Sequence, residues 1–341
     1  MYVIYHSSDS FAKITGVSIL SLFENNKDQD DIHVLFLQSG LSNKNKEKLN
    51  EIAQKYRRTI EFMDMPNWSE IKDLRLKSCK NGWLGFGYNR LFLTEFVPQD
   101  IDRVLYLDSD TLIEGSIKEF WNINFDDCYM AGVDDCLSSK YRALVDLNEC
   151  GTYCNSGVLL INLEKWRKDN IVNSFLKLLR EKNGYFVFNE QSILNSLFAG
   201  KIKIVPQKYN VNSLVYLYEY DELMKLRKPK NFYYSKDEYY EARNNPVITH
   251  YTGNFYVIRR PWVENSDHPH KDAFLKYLNM TPWAKEPLQP ESSVKISSAA
   301  KICKKLPRKI MIKTVGILYN NIRPIKFRKQ LKKERRPNNI D

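Results

Sequence analysis

The sequence predicts an α/β fold built on a mostly parallel sheet. Two observations carry this reading. Short apolar runs of strand type alternate with stretches whose apolar residues recur at helical spacing, and polar or charged residues gather where the apolar runs stop. The 341 residues are enough to bury a full core, and 43% hydrophobic against 27% charged residues describes a globular chain rather than a disordered or fibrous one.

The elements follow in order. YVIY at 2–5 is a buried-type strand, HSSDS at 6–10 is polar, and residues 11–22 repeat apolar positions as a helix does. IHVLFLQ at 32–38 reads as a second strand, Ser42 opens a helix rich in Glu and Lys, and TIEFMDM at 59–65 is a third strand. Residues 88–96 form an amphipathic helix, and RVLYL at 103–107 is a strand that runs straight into Asp108-Ser109-Asp110. SIKEFW is a short helix, YMAGV a strand ending in Asp134, GVLLINL a strand introduced by Asn155 and Ser156, and NEQSILNSLF a helix with its polar residues first. PVITHYTG at 246–253 is a short strand that leads into a glycine loop.

Charge divides the chain. The net charge of +11 is concentrated after residue 293, where 15 Lys and Arg face two acids; residues 1–293 hold 37 basic and 39 acidic side chains. Pro282, Pro287 and Pro290 mark residues 281–293 as a linker between a body over 1–280 and a basic, amphipathic tail over 294–341. The near-neutral body offers no broad basic surface for nucleic acid. The first residues lack a secretory leader, and no segment approaches the roughly 18 apolar residues that span a bilayer, so a cytoplasmic enzyme is expected. Cys79, Cys128, Cys136, Cys150, Cys154 and Cys303 include no CxxC pair, which points to reduced, structural thiols.

Asp108 and Asp110 stand at the carboxyl end of a buried strand, where ligands bind in open α/β sheets. Two hard carboxylates there attract magnesium or manganese, which can clamp a diphosphate. His250, at a strand end beside Gly253, is a candidate third ligand, and Arg90 and Arg260 have the guanidinium geometry that suits phosphate oxygens. Each feature also has a plain structural meaning: a solvated acidic loop, a core histidine, surface arginines. LDSDTL also carries the Asp-x-Asp pair found in haloacid-dehalogenase-type phosphatases, with Asp108 as nucleophile and Asp110 as acid and base. That class expects the motif near the start of its domain, whereas about 100 residues precede it here. A peripheral adaptor without catalytic function is a further alternative.

Seven stretches in order, YVIYHSSDSF, YNRLFL, RVLYLDSDTLI, AGVDD, YCNSGVLLINLEKW, NEQSILNSLF and ITHYTG followed by RRPW, make residues 1–283 resemble glycosyltransferase family 8. That group includes bacterial lipopolysaccharide galactosyltransferases and glucosyltransferases and, more distantly, glycogenin. The resemblance implies a GT-A fold, a Rossmann-like mixed sheet of nucleotide-diphospho-sugar transferases. It implies a retaining hexosyltransferase that uses UDP-galactose or UDP-glucose, with manganese or magnesium held by Asp108, Asp110 and His250. Tyr5, His6, Ser7, Ser8 and Asp9 would hold uracil and ribose, while Arg90, Ser109, Gly253 and Arg260 would lie along the diphosphate. Asn155 and Ser156 would line the hexose pocket together with the catalytic set Asp134, Glu190 and Gln191. The acceptor would be a glycan, a lipid-linked intermediate or a glycoprotein.

Three departures stand out: Ser8 where many members have a second acid, Glu190 where Asp is usual, and a longer loop before Arg260, which replaces a lysine. Retention without an ordinary carboxylate nucleophile favours a same-face displacement in which the departing UDP deprotonates the acceptor while Gln191 steadies positive charge on the sugar. The basic tail, with Ile310, Met311, Ile312, Val315, Ile317 and Leu318 among its lysines, is expected to hold the enzyme at the anionic inner face of the cell membrane as a peripheral protein.

Overall fold

The computed structural model describes residues 1–29, 31–64, 87–147, 152–229, 233–253, 259–294 and 298–335. The loop over 254–258, Met65 at the end of the third predicted strand, Cys79, Cys150 and the chain's last six residues lie outside them.

Ten strands are described: β1 (Tyr2–Ser8), β2 (His33–Ser39), β3 (Thr59–Asp64), β4 (Arg103–Leu107), β5 (Thr111–Ile113), β6 (Met130–Asp134), β7 (Cys154–Asn162), β8 (Ile202–Ile204), β9 (Val211–Asn212) and β10 (Ile248–His250). Seven make one sheet in the order β3-β2-β1-β4-β7-β6-β8, and a small second sheet runs β5-β10-β9. β3, β2, β1 and β4 are parallel, β7 runs antiparallel to both β4 and β6, and β8 is parallel to β6. The sheet is therefore parallel on one side and mixed on the other.

The strand sequences read as continuous apolar runs because both faces of the large sheet are covered. Val3, Tyr5, Leu105 and Leu107 point to one core with the helices Ala12–Glu24 and Lys271–Leu278, while Ile4, Val104 and Tyr106 point to another with Ile171–Glu181 and Asn189–Leu197. Helix Ala12–Glu24 is buried almost all round and carries small polar residues where it meets β5: Ser18 Oγ lies 2.9 Å from Thr111 Oγ1, and Ser21 Oγ accepts from the Ile113 amide at 2.9 Å. Ser42 caps helix Asn43–Lys55 by accepting from the Asn45 amide. The predicted amphipathic helix over 88–96 is a 3-10 segment, Asn89–Glu95, kinked at Phe92, with both Arg90 and Phe92 buried.

The proline-rich segment over 281–293 lies on the body rather than standing clear of it. Trp283 is buried against helix Ala12–Glu24, Lys13 Nζ donates to the Glu286 and Pro287 carbonyls, and Val263 bridges Gln289. Beyond it the basic tail forms helices Ser298–Lys304, Arg308–Ile317 and Arg323–Glu334, the last two joined by the π-turn Leu318–Ile322. Its apolar residues divide. Cys303, Ile312 and Val315 pack with Leu214, Leu223 and Leu226, and Tyr319 packs with Tyr141 and Tyr153, whereas Ile302, Ile310, Ile317, Ile322 and Ile325 are exposed. The described cysteines Cys128, Cys136, Cys154 and Cys303 are free.

Gly16 is the contact point for Trp283: a Cβ there would lie 2.4 Å from the indole Cζ3. Gly16→Ala is expected to lower the unfolding free energy by about 1–3 kcal/mol through overpacking, read by chemical denaturation. An unchanged midpoint would mean that Trp283 does not sit on this helix.

Candidate active site

β4 stops at Leu107, and the chain turns sharply: the Asp108 amide donates to the Gly157 carbonyl at 2.8 Å, and the Thr111 amide donates back to Asp108 at 3.2 Å. Ser109 turns away and donates to the His6 carbonyl at 2.8 Å, which leaves the two aspartates on the crevice side. β10 then pairs antiparallel with β5, His250 opposite Thr111, and the Tyr251 amide donates to the Asp110 carbonyl. That pairing brings a histidine from far along the chain to both carboxylates, so that one ligand atom from each of Asp108, Asp110 and His250 lies within 4.8 Å of the others.

Gly157 makes the convergence possible. A Cβ on it would lie 2.1 Å from His250 Cε1 and 2.7 Å from Asp108 Oδ2, so any side chain would occupy the space between the ligands. The imidazole is oriented from behind: Nδ1 lies 3.1 Å from Asn210 Oδ1, which can only accept, so Nδ1 carries a hydrogen and Nε2 faces the carboxylates, 3.2 Å from Asp110 and 3.8 Å from Asp108. Two carboxylates and an oriented imidazole nitrogen are a donor set that fits manganese or magnesium.

Positive charge surrounds the acids. Arg90 donates to Asp108 at 2.8 Å, to the Ser156 carbonyl and to the Gly87 carbonyl at 3.0 Å, with its guanidinium 4.3 Å from the Tyr106 ring centre. Arg260 donates to Asp110 at 3.0 Å. Burial opposes the charged form of Asp110, but the His250 and Arg260 charges outweigh it and hold its carboxyl below the usual range. Burial likewise opposes the imidazolium of His250, and Asp110 and Asp108 raise it above its ordinary value. Gly253 adjoins the Arg260 side chain.

Next to this cluster stands a web of amides. Gln191 accepts from the Ser156 amide at 3.0 Å and the Ser156 hydroxyl at 3.2 Å, and its Nε2 donates to Asp135 Oδ2 at 3.0 Å. Asn155 donates to Asp135 Oδ1 at 3.1 Å and accepts from Asn210 at 2.9 Å, which continues the chain of bonds to His250. Glu190 lies 3.8 Å from Arg90; burial pushes its carboxyl up and the arginine pulls against it.

Two residues of this web, Asp135 and Asn210, were not singled out in the sequence. Asp134 instead accepts from the Cys136 amide at 2.8 Å, and burial pushes its carboxyl up to about 6. A register irregularity between Gly132 and Asp134 interrupts the alternation of β6, so counting along the strand does not tell which of two consecutive aspartates turns toward Gln191. Asn210 carries no motif; only the tertiary fold brings it behind His250.

The residues expected around uracil and ribose follow β1. The Tyr5 hydroxyl is turned into the core, 3.0 Å from Ser18; Ser7 accepts from Thr15 at 2.8 Å; and His6 Nε2 lies 3.2 Å from Ser39 Oγ. Ser8 and Asp9 stand at the rim, where Asp9 accepts from the Ser42 amide and Asn45, bonds that hold its carboxyl low.

Comparison with known proteins places the chain in a family and a fold. The profile of Glycosyl transferase family 8 matches residues 2–265. General stress protein A of Bacillus subtilis (strain 168) is 24% identical over 83% of this chain and 94% of its own, and a lipopolysaccharide 1,2-glucosyltransferase of Escherichia coli is 30% identical over 80% and 76%. Among solved structures, the galactosyltransferase LgtC in complex with donor and acceptor sugar analogues superposes with a TM-score of 0.66 at 24% identity, over 84% of this chain and 98% of that one. The fold is GT-A, and the protein belongs to glycosyltransferase family 8. It is a glycosyltransferase; the family match spans LDSDTL, and nothing in the comparisons favours the phosphatase reading.

Gly157→Ala is expected to leave the fold intact and to weaken manganese binding roughly 10- to 100-fold, measured by calorimetry on the nucleotide-free protein. Wild-type affinity in this variant would mean that the cation binds elsewhere.

Proposed function

We propose that the protein moves a hexose, galactose or glucose, from a UDP-sugar to a glycan or lipid-linked acceptor with retention of anomeric configuration, and that it does so with manganese or magnesium. One observation carries the reading: Asp108, Asp110 and His250 converge at the carboxyl edge of the sheet, with Arg260 on one side and the Glu190–Gln191 pair on the other. Bound there, the cation offsets the charge that develops on the departing diphosphate.

The chain's own residues do the rest. Arg90 is committed to Asp108 and two carbonyls, so it fixes that carboxylate; Arg260, about one third exposed and, among the described residues, paired with Asp110 alone, can exchange that partner for a phosphate oxygen. In the transfer, the bond from the anomeric carbon to the UDP oxygen breaks while the acceptor oxygen attacks from the same face, and the acceptor proton passes to the departing phosphate oxygen. Gln191 Oε1 already accepts two hydrogen bonds from Ser156, which makes it a poor nucleophile but a well-oriented dipole for the positive charge on the sugar. The lipopolysaccharide glucosyltransferase among the relatives supports a lipopolysaccharide core or a related polysaccharide intermediate as acceptor.

An acceptor of that kind lies at the inner face of the cell membrane, and the C-terminal helices suit that surface. No helix among the described residues is long and apolar enough to cross a membrane. Ile302, Ile310, Ile317, Ile322 and Ile325, all large exposed apolar residues of these helices, stand among lysines and arginines that each gain about 1 kcal/mol near an anionic leaflet.

UDP release from a panel of UDP-sugars tests the chemistry. Turnover with one UDP-hexose, abolished by chelation and by Asp110→Ala, is the expected result; release that is independent of metal would overturn it. Cosedimentation with phosphatidylglycerol vesicles tests the surface. Replacing Ile310, Ile317 and Ile325 with serine should weaken binding roughly 10-fold or more, and unaltered binding would remove the isoleucines from the membrane contact.

A further inference from the structure

We infer that Phe327, on the last described helix of the C-terminal tail, is a positioning residue that acts through Phe188 on Gln191; this rests on the reading of Gln191 as the group beneath the sugar. Helix Arg323–Glu334 turns Phe327 and Leu331, one turn apart, into a cluster with Tyr141, Tyr153 and Tyr319, while Ile325 faces outward. The Phe327 ring meets the Phe188 ring edge-on, centres 5.9 Å apart, and lies 6.1 Å from the ring of Tyr141. The Arg323 guanidinium spans the contact, 5.2 Å from the Phe327 ring centre and 5.8 Å from that of Phe188.

Gln191 stands on the first turn of helix Asn189–Leu197, and Phe188 is the residue from which that helix starts. Asn189 has a φ of 50°, so the chain enters the helix through a left-handed residue, a turn that helical hydrogen bonding alone does not set. Side chains hold it. The Phe188 amide donates to Ser192 Oγ at 3.1 Å, the Tyr153 hydroxyl lies 3.3 Å from the same oxygen, and the Tyr153 ring meets Phe188 edge-on at 6.1 Å. Tyr153 stands three residues before Ser156, whose amide and hydroxyl donate to Gln191. One aromatic cluster therefore backs both partners of the Gln191–Ser156 bonds. Further along the helix, Asn195 accepts from the Cys154 amide at 2.6 Å and donates to the Cys154 carbonyl at 2.8 Å, which pins the second turn and leaves the first to the cluster.

The helix that supplies Phe327 is itself fastened at both ends. Before it, the Tyr141 hydroxyl donates to the Tyr319 carbonyl at 2.8 Å; after it, Asn183 donates to the Glu334 carbonyl at 2.9 Å and Arg335 pairs with Asp146 at 2.9 Å. Tyr319, Phe327 and Leu331 all lie beyond residues 2–265, the region matched to the family. The C-terminal helices thus form the outer wall of the Gln191 turn as well as a surface for the membrane.

Full-length variants test this with three readouts: donor kcat and KM by UDP release, manganese affinity of the nucleotide-free protein by calorimetry, and the Gln191 side-chain amide signal by NMR, assigned with Gln191→Ala. Phe327→Ala is expected to lower kcat roughly 10-fold or more with donor KM and manganese affinity little changed, and to shift the Gln191 signal. Phe327→Tyr keeps the ring and should resemble wild type, while Phe327→Leu should fall between the two and carries the test if the alanine variant does not fold. In a Gln191→Ala background, Phe327→Ala should add little. Effects that multiply in that background, or a Gln191 signal indifferent to Phe327→Ala, would overturn the proposal. If the wild type releases UDP from no sugar nucleotide, the donor reading falls and the Gln191 signal alone decides: a shift upholds the coupling, and no shift removes it.

Discussion

Two carboxylates a few ångströms apart, at the edge of a sheet covered on both faces, are the constraint around which the rest of the site is arranged. Like charges in such surroundings repel strongly and resist desolvation. Arg90 and Arg260 each take an oxygen of one aspartate, and His250 stands between them. Arg90 reaches its aspartate from the buried 3-10 segment Asn89–Glu95, and His250 reaches both because β10 pairs beside β5. The local irregularities of the fold sit where this charge balance is struck.

Much of the architecture was legible because it depends on local pattern. The RVLYL strand and its abrupt end in Asp108-Ser109-Asp110 need no tertiary information, since burial on both faces imposes a continuous apolar run. The helix over 88–96 could not be read as a 3-10 segment, because over so short a stretch a period of about 3.0 residues cannot be told from one of about 3.6. His250 was legible as a strand-end histidine beside glycine, whereas Asn210, which orients it, lies in a short link with no pattern of its own. The choice between Asp134 and Asp135 turns on a one-residue irregularity in β6, and alternation carries no memory of such a slip.

The tail shows how composition can be read correctly and still be incomplete. Its lysines and isoleucines announced an amphipathic segment, and five of its isoleucines do face outward. Others of its apolar residues pack against helix Tyr220–Arg227 and the loop after β6, a division that periodicity over a bent, π-interrupted helix pair does not reveal.

The contact of Trp283 with Gly16 has a bearing on how the chain comes to be folded at all. Helix Ala12–Glu24 leaves the ribosome some 270 residues before the indole that seals its outer side. At ordinary rates of synthesis the interval is on the order of tens of seconds. Through that interval the Gly16 face of a helix that ends buried almost all round lacks its native cover, and it stays open to water or to passing contacts until the chain's own distant tryptophan arrives.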